Sequence, residues 1–235
     1  HAILARPSDT PDFAPERADA GHAEAWAADT LAQIDLALAA LAGAAVPEAA
    51  QPLAAGLRTA ARRLRRAVPR LARKAVGALM TRHHGDFHLG QVLIAQGDAV
   101  IVDYEGEPAR PLAERRAKAS PLRDVAGLLR SLDYAAAVAA TPEVSAAALA
   151  APAGRRAAMI ARWRDEASAA FLSAYRKAVA LAPQRLVAAA AEAGLLDLFL
   201  VQKAAYEVRY EAANRPEWLP VPLGGLLGLA ARIAP

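Results

Sequence analysis

No cysteine occurs among the 235 residues, so a disulfide scaffold, a thiolate metal site and a cysteine nucleophile are all excluded. Aromatic residues are scarce at 5%, and no run of eighteen residues is both apolar and charge-free, which leaves no evident membrane span. The opening HAILARPSDT lacks the apolar core of an export signal, and a cytoplasmic location is the expectation. What is abundant is alanine, more than a quarter of the chain, within a 55% hydrophobic total. Alanine is the best helix former and is depleted in strands, so the expected class is mainly α. The chain is long enough to bury a sizeable core, and 22% charge beside apolar runs rules out wholesale disorder.

Acidic residues are missing from one stretch altogether. Between Ala49 and Gly85 stand Arg58, Arg62, Arg63, Arg65, Arg66, Arg70, Arg73, Lys74 and Arg82, with no Asp or Glu. A nucleic-acid backbone is one partner for such a run. The run has no interleaved aromatics, however, and Leu57, Leu64, Val68 and Leu71 recur through it at helical spacing. The favoured reading is therefore the wet face of an amphipathic helix, with no nucleic acid as partner.

The spacing predicts helices over 21–42 and 54–80, the second kinked or divided at Pro69, and again over 122–140, 155–181, 184–213 and 223–233. Residues 7–20 and 106–121 read as proline-bearing loops, and the alanine-rich stretch 135–153 as helix plus loop. Gln91–Ala95 and Ala99–Tyr104, joined at Gln96-Gly97-Asp98, predict a short β-hairpin, the single sheet expected.

Chemistry concentrates in HHGDFHLGQVLIAQGDAVIVD, residues 83–103. One aspartate lies in a glycine-bearing loop before the hairpin and another at the hairpin's end. Phosphoryl transfer uses this combination: one carboxylate to orient a hydroxyl and accept its proton, another to hold Mg²⁺ against nucleotide phosphates, and an oxygen donor between them. Asp86, Gln91 and Asp103 suit these roles in order, with Gly85 and Gly90 allowing tight turns. A zinc site from His83, His84 and His88 is the weaker alternative, since adjacent histidines diverge and no further ligand set completes a tetrahedron.

The segment resembles the catalytic loop and metal-binding strand of the aminoglycoside-phosphotransferase-like kinases, whose pattern is H-G-D-x-H-x-x-N followed by a strand ending in Asp. His84, Gly85, Asp86 and His88 match, and Gln91 stands where most of that superfamily has Asn. HGDFHLGQVL, the run IVDYEGEPARPLAERRAKASPLRD and KAAYEVRYEAANRPEWLPVPLGGLLGL near the C-terminus are together similar to the bacterial maltokinases, which include domains fused to trehalose synthase and in which Gln is usual at that position.

The resemblance implies a mainly α fold with a short β-hairpin, the C-terminal lobe of a protein-kinase-like architecture. The whole of 1–235 would be that lobe. The catalytic loop and metal-binding hairpin would occupy 83–105 and a helical acceptor-binding part 155–235. The nucleotide lobe would lie outside this chain. The implied reaction is ATP-dependent phosphorylation of maltose to maltose 1-phosphate, which feeds α-glucan synthesis, with a trehalose synthase domain or subunit as a partner.

By motif position Asp86 would be the base, Gln91 and Asp103 the Mg²⁺ ligands, and Glu105 a further donor if the strand continues. His84 and Asp124 would brace the loop, and His88 would line the site or support it. Lys203, Glu207 and Tyr210 share one helix face, flanked by Tyr206 and followed by Trp218, and would contact the sugar. The alternative for these five is core packing and a Lys203–Glu207 ion pair. For Arg110–Arg123 the readings are phosphate or substrate binding, or, favoured, a solvated face or ion pairs with Glu107 and Glu114. Rival functions are a kinase for an aminoglycoside, choline or another sugar, and a non-catalytic kinase-like lobe.

Overall fold

Asp19 caps the first long helix. Its side chain accepts the His22 backbone N–H at 2.9 Å, satisfying one of the orphan donors of a helix start. The computed structural model describes residues 1–108, 110–141 and 153–233, and this first helix, α1, spans Ala20–Gly43. α1 is long and apolar enough to cross a membrane by length and composition. Its face bearing Trp26, Ile34, Ala37 and Leu41 is instead buried, against α6 (Ala189–Asn214) and α2 (Gln51–Ala72).

α2 turns Leu57, Leu64 and Val68 inward, while Arg58, Arg62, Arg65, Arg66, Arg70 and Arg73 are exposed. Pro69 lies inside α2 without dividing it, at the cost of one backbone hydrogen bond. The helix stops short of the expected Met80. Ala72 ends it, a 3₁₀ turn covers Arg73–Ala75, and Leu79–Met80 form a strand, β2. The reason is long-range pairing. β2 runs antiparallel to β1 (Glu16–Arg17), and the Leu79 N–H reaches the Leu186 carbonyl at 2.7 Å. So the expectation of a single sheet is corrected by a second small ladder, and residues 7–20 are not wholly loop.

A hairpin pairs β3 (Val92–Ala95) with β4 (Asp98–Ile101), Val92 opposite Ile101 and Ala95 opposite Asp98, so that Asp98 belongs to the strand rather than the turn and the strand stops short of the expected Tyr104. Gln96 at φ 52° and Gly97 at φ 82° make the two-residue turn, a left-handed pair that matches strand twist. Within the predicted 106–121 loop, Leu112–Arg116 form the short helix α3. α4 (Leu122–Ala140) and α5 (Ala153–Val179) pack on each other, and α7 (Pro220–Ile233) closes the bundle against α2 and α6. α6 starts at Ala189 rather than 184 because Leu186 is buried beside Ala5 and Leu79. Most of the low-complexity stretch, 142–152, lies outside the described residues.

α4 positions the chemistry-bearing loop through very close approach. A Cβ on Gly127 would stand 2.4 Å from the Phe87 carbonyl oxygen. Gly127→Ala must therefore push loop and helix apart. Overpacking of this kind costs about 1–3 kcal/mol, a fall in Tm of roughly 2–12 °C for a chain of this size. Thermal unfolding of the variant measures it, and an unchanged Tm would mean that the loop is not clamped to α4.

Candidate active site

Asp124, in the first turn of α4, organises the loop. It is 2% exposed. Its Oδ2 accepts the His84 backbone N–H at 2.7 Å, and its Oδ1 accepts the Gly85 N–H at 2.9 Å. The ring of His84 is tied in two directions, with Nε2 2.8 Å from the Val102 carbonyl and Nδ1 3.3 Å from the Asp86 backbone N–H. This pattern places the ring proton on Nε2. Further along, the Leu89 N–H reaches Ser131 Oγ on α4 at 3.1 Å. The loop is thus held by α4 on one side and by the hairpin's end on the other.

Asp86 emerges from this frame half-buried. Its Oδ1 lies 3.7 Å from Lys203 Nζ of α6, and its Oδ2 lies 3.9 Å from His88 Nε2. Lys203 also sits over the Tyr206 ring at 5.1 Å. Two of the expected sugar contacts, Lys203 and Tyr206, therefore come together with Asp86.

Gln91 and Asp103 are likewise adjacent, the Gln91 Nε2–H donating to Asp103 Oδ2 at 2.8 Å. Asp103 adopts φ 63°, a left-handed conformation uncommon outside glycine and concentrated at functional sites. Uncharged and anionic oxygen donors side by side suit a hard divalent cation such as Mg²⁺, which takes few protein ligands and completes its shell with phosphate and water. Glu105 is expected beside them on a continuing strand, but β4 ends at Ile101; Glu105 is exposed, with Oε2 3.9 Å from Arg115 Nη1. Among the described residues no three His, Asp or Glu side chains converge on a metal centre, which gives the three-histidine zinc alternative no support.

The remaining C-terminal candidates lie elsewhere. Glu207 is buried against Arg130, whose Nε donates to its Oε2 at 2.8 Å. Burial pushes the Glu207 carboxyl up and Arg130 opposes that shift. Arg130 also pairs with Asp133. Next to this pair, Glu211 accepts from Tyr134 Oη at 2.9 Å and from Arg215 Nη2 at 2.8 Å, and Trp218 stacks on Tyr134 at 6.2 Å. Glu207 and Trp218 thus belong to a packed polar network, as the core-packing alternative anticipated, although the partner of Glu207 is Arg130 and not Lys203. Tyr210 is exposed and stacks on Tyr206 at 6.3 Å.

Asp86, Lys203 and Tyr206 open on a cavity of about 220 Å³ between α1, α4, α6 and the segment 106–119. Its wall includes residues that sequence reasoning took for core or left unassigned: Trp26, Gln33, Phe199 and Gln202. Trp26 and Phe199 pack edge to face at 5.4 Å. Arg123 lies over Phe199 at 5.3 Å. Burial, with Arg110 adding repulsion, pulls the Arg123 guanidinium down to about 10, still charged at neutral pH. Burial also lowers the basicity of His83, which is neutral there, and raises the Tyr206 phenol. Of the loop 110–123, Arg110 pairs with Glu114 at 3.6 Å and both line the cavity.

The chain is similar to sugar kinases. Over 146 residues (59% of the chain, 29% of the relative) it is 37% identical to a glucosamine kinase of Streptacidiphilus jiangxiensis. Over 147 residues (62% and 33%) it is 35% identical to a glucosamine kinase of Mycolicibacterium smegmatis. A solved glucosamine kinase in complex with glucosamine, ADP and inorganic phosphate superposes with TM-score 0.77 at 28% identity, over 97% of this chain and 48% of that one. A further crystal form of glucosamine kinase superposes with TM-score 0.76. No family model matches. The matched stretch covers about a third of the curated relatives' length, and the chain spans about half of the solved structure. Fold and sequence together place the chain with kinase-like structures.

Proposed function

We propose that this chain carries the catalytic loop, metal donors and acceptor cavity of an ATP-dependent sugar kinase. The carrying observation is Asp86, the one carboxylate of the H-G-D loop, held by the Asp124 frame and opening on a cavity beside Lys203. In this reading Asp86 orients the acceptor hydroxyl and takes its proton as the oxygen attacks the γ-phosphorus, and ADP leaves. Lys203 and His88 keep the carboxylate aimed. Gln91 and Asp103 would hold Mg²⁺, which when bound neutralises charge on the transferred phosphoryl group.

For the acceptor, we favour a single-ring sugar such as the glucosamine named for the relatives. A cavity of about 220 Å³ is smaller than those that enclose drug-sized ligands, roughly 300–1,000 Å³. Maltose is the second reading, resting on the motif resemblance and on one observation. The stacked Tyr206–Tyr210 pair leads out of the cavity to the exposed Tyr210 and would give a second ring an aromatic platform. A trehalose synthase partner belongs to that reading alone.

The test is Mg²⁺-dependent ATP consumption by the full-length protein with glucosamine, glucose, maltose, trehalose, choline and kanamycin. The expected order puts single-ring sugars first in kcat/KM. Turnover led by maltose would overturn the acceptor assignment and keep the chemistry. Folded protein that consumes no ATP with any of these acceptors would overturn the kinase reading.

A further inference from the structure

Outside the Arg130–Glu207 ion pair, four buried side-chain polar atoms among the described residues have no hydrogen-bond partner: Gln33 Oε1, His83 Nδ1, Arg115 Nε and Arg123 Nε. All four belong to residues that line the cavity in front of Asp86. A buried polar group left unsatisfied costs about 1–3 kcal/mol, and folded proteins keep few of them. Four around one cavity point to partners that a ligand supplies.

We infer that Gln33, His83 and Arg123 form the recognition wall of this cavity, binding the hydroxyls of a sugar ring other than the one Asp86 activates. The inference rests on the sugar-kinase reading and names its specificity-determining residues. The donor pattern fits a polyol. Gln33 Oε1 only accepts, Arg123 Nε–H only donates, and the neutral His83 does either according to tautomer. A hydroxyl both donates and accepts, so it can bridge neighbouring groups of this kind.

The cations around the cavity do not form an anion site, because each already has a carboxylate partner. Arg110 faces Glu114, Arg115 faces Glu105, Lys118 faces Glu16, and Lys203 faces Asp86. Arg123 Nη2 lies 3.6 Å from Asp29, which also accepts from Gln202 at 2.7 Å. Its Nε–H is the donor left over. Trp26 and Phe199 supply an apolar surface for the C–H face of the ring.

The experiment is titration calorimetry of D-glucosamine and its single-deoxy analogues against the full-length protein, in wild type and in Gln33→Ala and Arg123→Lys, with steady-state kinetics in parallel. Arg123→Lys keeps the charge and removes the Nε–H. Each variant is expected to weaken glucosamine binding about tenfold, one hydrogen bond's worth, and to raise KM with kcat little changed. In wild type, at least one deoxy analogue should lose the same factor and should bind Gln33→Ala as well as it binds wild type. A purely structural role would weaken all analogues alike.

Wild-type binding of glucosamine with no loss for any deoxy analogue, or with both variants unaffected, overturns the inference and leaves the kinase reading standing. Wild type that neither binds nor phosphorylates any sugar overturns both. The analogue series needs no variant, so a variant that fails to fold does not remove the test.

Discussion

Asp86→Asn should lower Mg²⁺-dependent phosphate transfer to the sugar by about 10²–10⁴-fold, the usual worth of a positioned proton acceptor, with the loss in kcat. Asparagine keeps the shape and one oxygen. It cannot take a proton, and it has no charge for Lys203 Nζ 3.7 Å away. The fold should survive, because the frame of the loop does not use the Asp86 side chain. That frame is Asp124 on the His84 and Gly85 backbone and His84 on the Val102 carbonyl. Steady-state kinetics beside a thermal melt separates the two effects. A variant that keeps more than a tenth of wild-type kcat would remove Asp86 from the role of base.

The largest stability effect should come from Glu207→Ala. Arg130 is 2% exposed and donates to Glu207 at 2.8 Å, with Asp133 as its other partner. Burial alone would pull the Arg130 guanidinium down, and Glu207 with Asp133 more than reverses that. The fold makes room for the pair: a Cβ on Gly225 of α7 would stand 2.2 Å from Arg130 Nη1. Removing one partner of a buried ion pair strands the other and costs about 3–5 kcal/mol, the low end applying here because Asp133 remains. For a chain of this length that low end is a fall in Tm of roughly 6–12 °C. Replacing both partners by apolar residues, Arg130→Met with Glu207→Leu, should recover much of the loss. If Glu207→Ala instead melts like wild type while KM for the sugar rises, Glu207 is a ligand contact and the assignment to the packed network fails.

The same Glu207 shows where the reading of the sequence ran short. Lys203, Glu207 and Tyr210 do share one helix face, as their spacing requires. But a helix face has two ends in depth. Lys203 reaches Asp86 at the cavity, and Glu207 one turn on meets Arg130 in the core. A carboxylate four residues from a lysine looks the same in both settings. Trp26 was legible as an inward residue of α1, yet inward means core or cavity only once α6 brings Phe199 against it. Nothing in the local pattern around Gln33 separates it from a surface glutamine.

Local chemistry alone specified the helical class, a hairpin turning within Gln96-Gly97-Asp98 and the arginine face of α2, and it put Asp86, Gln91 and Asp103 forward as candidates. Each depends on periodicity, turn geometry or residues within about twenty positions, and such interactions survive in a short window of chain. Long-range contact decided the rest. β2 exists because Leu79 and Met80 pair with a segment more than sixty residues away, which outweighs the helical pattern leading into them. Asp124 braces the loop from forty residues downstream, and Gln33, Arg123 and Lys203 meet at one cavity from three different helices. Those meetings are set by how α1, α4 and α6 pack, and packing is a property of surfaces brought together, not of any one stretch of sequence.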